Sequence, residues 1–158
     1  MDAKRELLRH TIATVAYRGA KAVRGAPDSF ASFKAVESTR TPVQILAHIA
    51  DLYDWALSMA KGAETWNNAT PLPWPEEIAR FHNVLRRFDD YLGSDGELAV
   101  SCERLFQGAI ADSLTHVGQL TILRRIADAP IRGENYSVAK IEAGKVGADQ
   151  AASVVEFG

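Results

Sequence analysis

The residues from Thr41 to Met59, TPVQILAHIADLYDWALSM, leave the backbone little choice but a helix. Thr41 and Gln44 form a capping box, a hydroxyl and an amide three positions apart that each answer a free backbone N–H. Pro42 between them suits the first helical position. Behind that start, Ile45, Ile49, Leu52, Ala56 and Met59 recur every three or four residues and so share one face. The stripe ends near Gly62.

Three more segments carry the same period. From about Ala3 to Arg24 the apolar stripe is Leu8, Ile12, Val15, Gly19 and Ala22, stopped by Gly25 and Pro27. Pro75, Glu76 and Glu77 open a third helix with acids in its first turn. Its stripe, Ile78, Phe81, Leu85, Phe88 and Leu92, closes at Gly93 to Gly96. A fourth helix has an unclear start between Ser101 and Gly108 and runs to Asp128, with Arg124 and Arg125 in its last turn. No segment shows sustained strand alternation. The expectation is an all-α fold, an antiparallel four-helix bundle in one domain spanning residues 1–158. The glycine-bearing C-terminal segment, about 130–158, is too irregular for a core helix and is expected to lie over the bundle.

Composition narrows the function classes. A chain of 158 residues with 47% hydrophobic residues can bury a full core without disulfides. The formal net charge is −2 and no basic run is present, which argues against a nucleic-acid partner. Cys102 is the single cysteine, so no internal disulfide is available. The first residues, MDAKRELLRH, lack the apolar centre of a signal peptide, and no apolar run approaches the ~20 residues of a membrane span. A cytoplasmic protein with no membrane association is expected.

The histidines divide by their place on the helical wheel. His10 and His82 fall beside their stripes and read as surface residues. His48 lies within its stripe, three after Ile45 and four before Leu52. In the fourth helix the stripe is Ala109, Leu120, Leu123 and Ala127. Asp112 and His116 fall in the same arc, four apart, with Gln119 on its edge. A buried, unpaired aspartate would lose several kcal/mol to desolvation, so it must be neutralised, paired or bound to a cation. An Asp112–His116 hydrogen bond satisfies that need. So does a divalent metal held by His48, Asp112 and His116, and the spacing alone leaves both open.

TPVQILAHIADLYDWAL, followed by DSLTHVGQLTILRRIADAPIRGENY, resembles the DinB-like family, also called the DinB/maleylpyruvate-isomerase-like superfamily. The likeness runs from the second helix to the tail, and THVGQ with the following LRR and RGENY is its most specific part. It implies a four-helix bundle, often a homodimer, with a metal held by a histidine early in the second helix and two residues four apart in the last. Those positions are His48, Asp112 and His116. The family's usual set is three histidines, so Asp112 is a departure that shifts preference from Zn or Ni toward Fe or Mn.

Around the ligands, Gln119 is a candidate acceptor for the second N–H of His116, and Tyr53 and Trp55 are candidates for the pocket border. Arg132, Glu134 and Tyr136 are candidates for a pocket rim or a dimer contact, against the plainer reading of a tail pinned by salt bridges. Gly118 is read as a site of close helix packing, and Cys102 is not expected to be a nucleophile. The resemblance implies a metalloenzyme that activates a low-molecular-weight thiol, as a transferase or isomerase, or water, as a hydrolase, acting on a small-molecule substrate. The alternatives are a non-catalytic dimeric metal- or ligand-binding protein and, from two histidines with a carboxylate, an iron oxygenase.

Overall fold

The computed structural model describes residues 2–158. The chain is mostly helical. α1 (Ala3–Val23), α2 (Pro42–Ala60) and α3 (Trp74–Gly93) are followed by one composite helical run. That run comprises α4 (Cys102–Leu105), a π-helical turn (Phe106–Ile110) and α5 (Ala111–Ile126). α1 packs against α3 and α5, and α2 packs against the same two helices. Between them lie Ile12, Leu46, Ile49, Phe81, Phe88 and Ile110, all removed from solvent.

Local chemistry accounts for most of the boundaries. The Thr41 hydroxyl accepts from the Gln44 N–H and the Gln44 amide oxygen accepts from the Thr41 N–H, so both halves of the capping box form. α2 ends at Gly62, whose φ of 75° only glycine adopts cheaply. The N–H of Ala63 then reaches back to the Ser58 carbonyl. The last run starts where Ser101 accepts from the Arg104 N–H. Within it the Ala111 N–H bonds back to Phe106, five residues earlier, which inserts one extra residue into the turn. At the far end the Arg124 guanidinium donates to the carbonyls of Ala22, Arg24 and Ala129. It thereby closes the C-terminal ends of α1 and α5 together, where a cation is favoured.

The C-terminal segment lies over the helices and is fastened to α1. Glu134 is buried and accepts from the Tyr17 hydroxyl at 2.6 Å, Lys21 at 2.7 Å and the Ser153 hydroxyl at 3.0 Å. Burial alone would raise its pKa, but the donors from Lys21, Tyr17 and Ser153 outweigh it and hold the carboxyl below its ordinary value. A short ladder, β1 (Gly133–Glu134) against β2 (Glu156–Phe157), completes the tail. Sequence periodicity gave no sign of this ladder, because two residues are too few to alternate.

His82 corrects the sequence reading. It is buried, not on the surface, because the tail covers its side of α3. Its Nδ1–H donates to the Val146 carbonyl at 3.0 Å, and Nε2 is enclosed without a partner. Burial lowers its pKa below 6.5; the Val146 carbonyl opposes that shift and Arg86 adds to it. A histidine with a depressed folded-state pKa binds more protons when unfolded, so its penalty grows as pH falls below 6.5. Urea unfolding between pH 7 and 5 should therefore lose up to about 1.4 kcal/mol per pH unit more in the wild type than in His82→Leu. Parallel pH profiles would show that His82 is not the group responsible.

Candidate metal centre

His48 projects from the second turn of α2, and Asp112 and His116 project from adjacent turns of α5. One ligand atom from each residue lies within 4.8 Å of the others. Asp112 stands between the two imidazoles, with Oδ2 3.8 Å from His48 Nε2 and Oδ1 3.4 Å from His116 Nε2. The imidazole rings meet edge to face with centroids 4.7 Å apart. The separations between donor atoms exceed ordinary hydrogen bonds, and two imidazoles face one carboxylate across them. Such a donor set suits a divalent cation, with coordination positions left over because only three residues contribute.

The π-helical turn explains where this trio sits. The extra residue moves the inward face of the run on by one position, to Ser113 and Val117, which are buried. Asp112 is correspondingly not buried: 47% of its side chain is exposed. The expectation of a carboxylate deep in the core is therefore corrected to one at the mouth of a groove, where ionisation costs far less. His48 and His116 are more enclosed, at 20% and 13% side-chain exposure.

Two features orient and tune the imidazoles. His116 Nδ1–H donates to the Gln119 amide oxygen at 2.8 Å, which leaves the lone pair on Nε2, the nitrogen that faces Asp112. His48 has a pKa lowered first by burial, then by His116 and Arg40, with Asp112 and Asp51 opposing. A neutral imidazole is the form that coordinates.

The remaining sequence candidates separate. Trp55 is partly buried and borders the exposed side of Asp112 in a shallow groove shared with Leu52 and Thr115. Tyr53 is fully buried, its hydroxyl 2.7 Å from that of Ser113, so it belongs to the core and does not border the groove. Gly118 is exposed, and a Cβ there would meet nothing within 4 Å, so close packing is not its role. Arg132, Glu134 and Tyr136 line a different groove on the other side of α5. Cys102 is partly buried, and burial pushes its thiol pKa up, which suits a resting thiol.

Two residues that periodicity did not single out also reach the site. Trp66 lies edge-on to His48 at 5.7 Å and to Trp55 at 5.9 Å. It comes from the irregular link between α2 and α3, which buried acids hold down. Asp51 accepts from the Ala69 N–H and Glu77 from the Leu72 N–H, while Arg80 neutralises both acids. Arg40, just before α2, lines a groove of about 430 Å³ that reaches His116 and Gln119. A tryptophan in a proline-rich link was the only available signal for the first, and there was none for the second.

No family model matches the chain, and no curated protein or solved structure is similar to it at a meaningful level. No helix among the described residues is long and apolar enough to cross a membrane.

Proposed function

We propose that the chain is a divalent-metal-dependent enzyme of the DinB-like type, its helices forming that family's antiparallel four-helix bundle, with His48, Asp112 and His116 as the ligands. The observation that carries this reading is the convergence of three donors from two helices, with the Nδ1–H of His116 already committed to Gln119. Zn, Ni, Fe and Mn are the candidate ions, and the carboxylate favours the last two relative to an all-histidine set. A cation bound there supplies Lewis acidity that makes a coordinated thiol or water more acidic.

The chain's own residues do the rest. Gln119 fixes the tautomer of His116, and burial keeps His48 neutral at physiological pH. Trp66 shields the edge of His48 from water. Arg40 gives the groove beside His116 a positive charge that favours thiolate or another anion over its neutral acid. Among the described residues no fourth protein ligand joins the trio, in keeping with a reactive site open to a small-molecule substrate. Activation of a low-molecular-weight thiol is the preferred chemistry, because Asp51, the other acid that acts on His48, is paired with Arg80 and the Ala69 N–H and so is not free to serve as a base for water.

The test is an assay of protein loaded with each of the four metals, using cysteine or glutathione against an aryl halide electrophile and, separately, an activated ester in water. Metal-dependent thioether formation that vanishes in His48→Ala is the expected result. Ester hydrolysis without thiol transfer would move the reading to a hydrolase. Full metal occupancy with neither reaction would leave the non-catalytic binding protein.

A further inference from the structure

The tail residues Arg132, Glu134 and Tyr136 lie away from the metal ligands, yet they border a groove of about 410 Å³ between α5, α1 and the C-terminal ladder. That volume is within the range of small-molecule sites. Arg18, Arg125 and Arg132 all line it. Arg132 is matched by Glu156 at 3.5 Å. Arg18 and Arg125 make no salt bridge among the described residues. Arg18 is instead held over the face of Tyr136, 4.3 Å from the ring centroid, which orders its guanidinium without neutralising it.

The only buried acid of the groove, Glu134, has its oxygens occupied by Tyr17, Lys21 and Ser153 and does not answer these two arginines. Two uncompensated guanidiniums therefore share one concavity in a chain whose net charge is −2. The wall also has an apolar part: Ile131 is partly covered, and Ile122 and Phe157 are about half exposed. Gly118 keeps the α5 side open, since it contributes no side chain and a Cβ built there would meet nothing within 4 Å.

We propose that this groove is a binding site for a small organic anion, an oxyanion head group on an apolar body. Arg18 and Arg125 take the carboxylate or phosphate oxygens, for which the guanidinium fork is suited. Ile122, Ile131 and Phe157 cover the apolar part. The site is distinct from the metal ligands and does not depend on them. Ile122 is the ridge between it and the groove that reaches His116.

The experiment is a titration of the full chain with phenyl phosphate, phenylacetate and inorganic phosphate, followed by amide chemical shifts. Saturable binding of one or both aromatic anions is expected, with the shifts centred on Gly118, Thr121 and Tyr136. Arg125→Ala and Arg18→Ala should each weaken it about tenfold or more, the loss of one charge-assisted contact. Gly118→Leu puts a side chain into open space on a helical backbone, so it should fold normally and block the site. His116→Ala should bind the anions as wild type does while losing metal, which separates this site from the one proposed above. The proposal is overturned if no probe saturates by about 10 mM, or if binding is indifferent to both Arg125→Ala and Gly118→Leu. Inorganic phosphate binding as tightly as phenyl phosphate would overturn the apolar half of the site.

Discussion

Replacing His116 with alanine is expected to lower the affinity of the protein for Zn, Ni, Fe or Mn by more than about 100-fold, with the helical signal unchanged. In the proposed centre His116 is one of three donors, so its loss would remove a full coordinate bond and open the remaining pair to water. Losing an orienting partner outside the coordination sphere typically costs 10- to 100-fold in metal affinity, which sets a floor for losing a ligand. Gln119→Ala supplies that milder comparison. Its amide fixes the Nδ1–H of His116 at 2.8 Å, and its removal should fall in the 10- to 100-fold range. Elemental analysis of untagged protein, with competition against a chromophoric chelator, reads both. About one metal per chain in the wild type, the order wild type, Gln119→Ala, His116→Ala, and a parallel loss in His48→Ala would support coordination. Metal-free wild type that also refuses added metal would leave an aspartate flanked by two histidines and nothing more.

The largest loss of stability is expected at Phe81, not at the proposed metal ligands. Its ring is fully buried on α3 and lies where a side chain on Gly19 would be: a Cβ built there would come 2.6 Å from Cζ. The contact lets α1 and α3 approach closely. Phe81→Ala should therefore cost about 3–5 kcal/mol. For a chain of this length that is roughly 6–20 °C in the unfolding midpoint. Thermal and urea unfolding of metal-free protein provide the check, so that loss of a bound ion does not enter the comparison. A change below about 1 kcal/mol would mean that the surrounding helices collapse into the vacancy, contrary to the close contact with Gly19.

How far the sequence could be read follows from which interactions were local. Thr41, Pro42 and Gln44 act within one turn, so the start of α2 was legible from four residues. His48, Asp112 and His116 were legible as a group because helical spacing fixes the last two on one face and the resemblance to the DinB-like family joins the first. Their depth was not legible. The backbone bond from Ala111 to Phe106 leaves no mark in composition, and it turns Asp112 from the core to the groove mouth. His82 was misplaced for a different reason. The wheel describes a helix by itself, whereas the surface over His82 is made by Val146, 64 positions later. Trp66 and Arg40 sit in irregular backbone, where period carries no information. Only the folded chain brings them beside His48 and His116.

The π-helical turn has an evolutionary consequence. Phe106–Ile110 holds one residue more than a regular helix would accommodate over the same rise. A chain with one residue fewer there would carry Asp112 and His116 about 100° round the helix axis, off the groove face. A one-residue change there would turn Ser113, Val117, Leu120 and Leu123 together with Asp112 and His116, exchanging the core face and the groove face at once. Relatives that differ by one residue in this stretch would be expected to differ in whether they own the site at all, however similar the rest of their chains.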